Sequence, residues 1–130
     1  MNSGPATPER VVVTFAQAWD RLDMEAILEL LSPDVVYHNM PLVPLRGRDA
    51  VEAYLRSVGP IDSCSWRLLA LATSGRRVLT ERVDELVVRG KRIVLPVMGI
   101  FEVEDGLIRE WRDYFDLASY RAQWPADLAA

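Results

Sequence analysis

A single cysteine, Cys64, and a single histidine, His38, stand in the 130 residues. One thiol cannot close an intrachain disulfide, and one imidazole with one thiol leaves too few soft ligands for a zinc site. Positive charge is not in excess either. Fifteen Lys and Arg against 19 Asp and Glu give a formal charge of −4, and no basic run with interleaved aromatics occurs, which argues against a nucleic-acid or anionic-membrane surface. No apolar run approaches the roughly 18 residues that would span a bilayer, and the first six residues lack the basic and apolar regions of a secretory leader. The expectation is a cytoplasmic protein with no cofactor and no metal, acting on a small neutral partner. Half of the residues are hydrophobic, enough for the core of one domain over 7–130 behind a loose tail over 1–6.

Local signals place helices first and strands afterwards. Thr7-Pro8-Glu9 has the form of an N-cap, a proline at the first helical position and an acid in the first turn. Val12, Phe15, Ala16 and Trp19 then recur at helical spacing up to about Arg21. Asp23 is placed to cap a second helix over 24–31, stopped by Ser32-Pro33. A short β-branched strand over 34–39 ends before Pro41 and Pro44, and Asp49 is expected to cap a third helix over 50–57, closed by Gly59-Pro60. From Cys64 onward the alternation implies strands over 66–72, 77–88, 92–103 and 107–116, joined at Ser74-Gly75, Arg89-Gly90 and Asp105-Gly106. The third of these is apolar on both faces and contains Pro96 and Gly99, which predicts a bend or bulge. Asp116 is placed to cap a last helix from Leu117 to about Trp124. This order makes an α+β fold, with N-terminal helices packed in the concave face of a strongly curved, mainly antiparallel sheet, a cone-like, cystatin-like roll.

Two strand faces carry charge among apolar side chains. Residues two apart share a face of a strand, so Val78, Arg82, Asp84, Leu86 and Val88 point one way. On the last strand Leu107, Arg109, Trp111, Asp113 and Phe115 are expected to do the same. A carboxylate among aromatics is costly unless it is paired, and one guanidinium can bond two carboxyls at once. If the fold brings Arg82 between Asp84 and Asp113, the two acids form a general acid and a general base. Arg-x-Asp alone more often marks a surface salt bridge. Tyr37 and Asn39, two apart on the short strand, add two groups able to hold a water by hydrogen bonds.

Tyr37-His38-Asn39-Met40-Pro41, Glu81-Arg82-Val83-Asp84 and Trp111-Arg112-Asp113-Tyr114-Phe115-Asp116, in this order, resemble the limonene-1,2-epoxide hydrolase family, whose fold is the nuclear-transport-factor-2-like α+β cone. The resemblance covers roughly residues 8 to 124. It implies that Asp113, Tyr37 and Asn39 hold the attacking water, with Asp113 as general base, that Asp84 protonates the epoxide oxygen, and that Arg82 ties the two aspartates together. The implied partners are a small apolar, limonene-oxide-like epoxide and water.

The remaining residues support plainer expectations. His38 points to the opposite strand face from Tyr37 and Asn39 and has a structural or surface role, and Cys64 is a small buried or strand-edge residue. Leu42, Val43, Leu69, Val78, Leu95, Met98 and Trp111 are among the side chains expected to line an apolar pocket. Apolar residues on both faces of the last strands imply a homodimer through the sheet. Two other functions stay open: an isomerase or dehydratase on the same fold, and a non-catalytic ligand-binding or dimerisation module in which Arg82, Asp84 and Asp113 form a closed ion network.

Overall fold

A computed structural model describes residues 6–125. The expected tail, apart from Ala6, and residues 126–130 of the expected domain lie outside them. Helix α1 (Pro8–Asp20) begins as the sequence implies, with Thr7 Oγ1 accepting from the Arg10 N–H at 3.2 Å. Its apolar stripe, from Val11 through Trp19, is buried. Helix α2 (Met24–Glu29) is capped by Asp23, whose Oδ1 accepts from the Ala26 N–H at 3.1 Å. It ends at Glu29 rather than at 31, because the residues before Pro33 are driven to extended backbone and Leu31 is already the first residue of strand β1 (Leu31–Asn39).

A two-residue strand, β2 (Leu45–Arg46), pairs antiparallel with β1 where the sequence implied only loop. Helix α3 (Arg48–Ser57) corrects another expectation. Its N-cap is Gly47, at φ 92, with no side-chain cap bond, and Asp49 sits inside the first turn, where its charge still suits the positive end of the helix dipole. Strands β3 (Ser63–Ser74), β4 (Arg77–Val88), β5 (Lys91–Glu104) and β6 (Leu107–Tyr114) follow, then helix α4 (Leu117–Gln123), capped by Asp116. The Arg89-Gly90 and Asp105-Gly106 turns have positive φ at both positions, the form whose twist matches the strands it joins.

The six strands lie in the order β2-β1-β6-β5-β4-β3. All neighbours are antiparallel except β1 and β6, which run parallel. Two irregularities shape the sheet. Leu69 is an extra residue between Leu68 and Ala70 in β3, and Arg109 is one in β6, where Val103 faces Ile108 but Glu102 faces Glu110. The second changes the facing expected for β6. Ile108, and neither Leu107 nor Arg109, is buried with Trp111 and Asp113, while Arg109 turns outward to Glu104 and Asp34.

No bulge occurs at Pro96 or Gly99, since β5 pairs residue by residue with β4 from Lys91 to Glu102. Val94, two residues from Pro96, directs its N–H away from β4 and donates to Gln123 Oε1 at 2.7 Å. Proline at 96 therefore removes no β4–β5 ladder bond, and β6 pairs no further along β5 than Met98.

Helix α1 lies across the concave face. The Phe15 ring meets Trp66 of β3, Phe101 of β5 and Trp111 of β6 edge-on at centroid distances of 5.6, 6.0 and 5.0 Å, so one side chain fastens the helix to three strands. On the opposite sheet face Leu69, Leu79, Met98 and Tyr114 are exposed. Among the described residues no helix is long and apolar enough to cross a membrane.

Candidate active site

Strand register assembles the five residues singled out in the sequence. Asn39 on β1 stands beside Asp113 on β6, and Tyr37 beside Trp111. Asp113 in turn faces Gly99 on β5, which faces Thr80 on β4. Arg82 therefore starts on β4 and must pass over β5 to reach Asp113, and it does so. Its Nη2 donates to Asp113 Oδ2 at 2.7 Å, while Nε and Nη2 donate to Asp84 Oδ1 and Oδ2 at 2.7 and 3.1 Å. The Tyr37 hydroxyl donates to Asn39 Oδ1 at 3.0 Å.

The charges are deeply placed. The Arg82 side chain is 0 % exposed, against 14 % for Asp84 and 6 % for Asp113, so this is an interior network and not the surface salt bridge that Arg-x-Asp more often signals. Burial pushes the Asp84 carboxyl up from 3.8 to about 6, although Arg82 opposes the rise. Asp84 thus holds a proton into the near-neutral range. Burial works against the charge on Arg82, but the Asp113 and Asp84 carboxylates outweigh it and strengthen its hold on the proton. Burial, then the charge of Asp113, raises Tyr37 well above the usual phenol range, so it stays a neutral hydroxyl.

Asp84, Asp113, Tyr37 and Asn39 all line one cavity of about 120 Å³. Its remaining walls are mainly apolar and aromatic, including Trp19, Trp66, Trp111, Leu95, Phe115 and Trp124. Leu95 and Trp111 are where the sequence put them. Val78 is packed in the core, while Leu69, Met98 and Val43 are 51, 51 and 78 % exposed. Leu42, Val43 and Leu45 border a second opening that shares Tyr37, Asn39 and Tyr54 with the first. His38 places Nε2 2.9 Å from the Leu42 carbonyl oxygen, a loop-holding role. Cys64 is buried in the edge strand β3, with its thiol pushed up to about 12 by burial. No cluster of three or more His, Cys, Asp or Glu able to hold a metal occurs among the described residues.

The helices supply cavity walls that the sequence reading did not assign: Met24 from α2, Tyr54 and Leu55 from α3, and Tyr120 from α4. Their apolar periodicity is the same whether a stripe packs into a core or faces a cavity, so only the order of the aromatic residues on short helices could have hinted at them. Helix α4 is held in place by Gln123, whose side-chain amide pairs with both the N–H and the carbonyl of Val94, at 2.7 and 2.9 Å.

A family model described as the limonene-1,2-epoxide hydrolase catalytic domain matches residues 6–126. The epoxide hydrolase EphG of Mycobacterium tuberculosis is 34% identical over 106 residues, which are 82% of this chain and 71% of that protein. The solved structure of an M. tuberculosis LEH-like epoxide hydrolase has a TM-score of 0.79 at 33% identity, covering 87% of this chain and 85% of that one. A SnoaL-like protein structure from Shewanella denitrificans reaches 0.80 at only 15% identity, covering 89% and 95%, a likeness of fold alone.

Proposed function

The chain belongs to the limonene-1,2-epoxide hydrolase family, and from that membership we propose that it hydrolyses an apolar, cyclic, limonene-oxide-like epoxide to a vicinal diol in one step. The observation that carries this reading is a buried arginine bonded to two carboxylates on different strands, both of which open onto an apolar cavity. Asp113 takes a proton from a water also held by Tyr37 and Asn39, and that water attacks one ring carbon. Asp84 gives its proton to the ring oxygen as the carbon–oxygen bond breaks. The products are a trans-opened diol, a neutral Asp113 and an ionised Asp84, and return of the proton through solvent resets the pair. Arg82 transfers no proton; it orients both acids and offsets their mutual repulsion.

The raised pKa of Asp84 supports its role as the acid. Aromatic walls with few polar groups support a lipophilic substrate. A non-catalytic module would be expected to close the ion network off, whereas Asp84 and Asp113 both line the cavity. Two acids bridged by one arginine also fit water addition better than an isomerase or dehydratase, which needs one base opposite an oxyanion donor. Exposed Leu69, Leu79, Met98 and Tyr114 on the outer sheet face support a homodimer formed across it. The test is turnover of limonene oxide and cyclohexene oxide by Asp84→Asn and Asp113→Asn. Each variant is expected to stay folded by circular dichroism and to lose nearly all activity; substantial activity in either removes the assignment.

A further inference from the structure

Two residues outside the five have a direct bearing on where the Arg82 guanidinium sits. From one side the Trp66 ring covers it, with Cζ 3.9 Å from the ring centroid. Trp66 is itself fixed: its ring stacks on Trp19 at 5.2 Å and 8°, and its backbone N–H donates to Asp20 Oδ1 at 2.7 Å. Beneath the guanidinium lies the bare backbone of Gly99. A Cβ there would stand 2.4 Å from Arg82 Nη1, 2.8 Å from Asp113 Oδ1 and 3.1 Å from Thr80 Oγ1. Nη1 and Oδ1 are the atoms of this pair with no hydrogen-bond partner among the described residues, and both lie against the bare backbone of the glycine. Gly99 does not have a positive φ. The demand for glycine therefore comes from the crossing arginine and the Asp113 carboxyl that it meets, not from the backbone conformation.

We infer that Trp66 and Gly99 are positioning residues, the roof and floor of a slot that fixes the Arg82 guanidinium where it can bond Asp84 and Asp113 together. The inference deepens the proposed epoxide hydrolysis and rests on it for its catalytic consequence. A stem that must cross a whole strand has many rotamers, and the slot leaves one. Without the roof, the cation–π contact is lost and water reaches the network; with a methyl group on the floor, the guanidinium is lifted away from Asp113.

The experiment combines kinetics with a stability cycle. Gly99→Ala is expected to lower kcat about a hundredfold with KM changed little, as for misplacement of catalytic groups by about an ångström; Trp66→Leu, which also alters a cavity wall, lowers kcat as far and raises KM as well, while Trp66→Phe, which keeps a ring over the guanidinium, retains most of kcat. In urea unfolding, Gly99→Ala should lower the midpoint clearly more in the wild-type background than in Arg82→Met, where the contact with Nη1 is gone and only those with Asp113 Oδ1 and Thr80 Oγ1 remain. Should Arg82→Met not fold, ¹⁵N resonances of the Arg82 guanidinium give the same answer: resolved Nη signals of a locked group in the wild type, merged in Trp66→Leu. Equal midpoint shifts in both backgrounds, unmerged signals, or kcat of Gly99→Ala within about twofold of wild type would overturn the slot. If the wild type turns over no epoxide, the functional reading fails, and the urea cycle and resonances still decide the slot.

Discussion

Raising the pH from 4 to 7 should weaken this protein through a single carboxyl, Asp84. Its pKa moves from an ordinary 3.8 to about 6 in the fold because burial penalises the ion more than Arg82 rewards it. A raised acid binds its proton more tightly folded than unfolded. The native state therefore carries more protons between pH 3.8 and about 6, and stability falls as pH rises through that window and is flat on either side. At 1.36 kcal/mol per pH unit the full loss is about 3 kcal/mol, a large share of the roughly 5–15 kcal/mol that holds a domain together. Asp84→Asn keeps the shape and cannot ionise. Urea unfolding of both proteins at pH 4, 5, 6 and 7 should show the variant gaining on the wild type by about 2 kcal/mol across the series, since part of the full loss already lies below pH 4. Exposed Asp34 and half-buried Glu104 are shifted downward by their partners and slope the other way, but they are common to both proteins and cancel in the difference. A difference that stays constant with pH would refute the burial argument.

Three further outcomes follow from the same geometry. The rate of epoxide opening should fall as pH rises above about 6, because Asp84 then loses the proton it must give; a pH–rate profile of kcat that rises through that range would contradict its role as acid. Arg82→Met leaves two buried carboxylates without their shared cation and should cost about 3–5 kcal/mol in urea unfolding at pH 7, with less cost at pH 4. Gln123→Ala removes both amide bonds to Val94 and should cost about 2 kcal/mol, while raising KM more than it lowers kcat, since α4 carries the cavity wall and none of the two-acid chemistry.

Much of the chemistry could be read from the chain because it is written in short range. Tyr37 with Asn39 and Arg82 with Asp84 are each two apart, so the strand period alone puts each pair on one face. Turn residues such as Arg89-Gly90 and Asp105-Gly106 fix the hairpins that bring β4, β5 and β6 side by side. What the chain hid depends on contacts distant in sequence. The parallel pairing of β1 with β6, which sets Asn39 beside Asp113, has no local signature. The extra residue Arg109 reverses the facing of one end of β6, so a strict alternation misplaced Leu107 and Arg109. Gly99 looked like a bulge because its real reason, an arginine crossing from the neighbouring strand, belongs to another part of the chain.

Direct attack by water under two aspartates bridged by Arg82 leaves no covalent enzyme intermediate. A single turnover of cyclohexene oxide with enzyme in excess, run in oxygen-18 water, tests it most directly. Direct attack puts one labelled oxygen in every diol and none in the protein. Unlabelled diol accompanied by label in an aspartate carboxyl would mean a covalent intermediate and would contradict it.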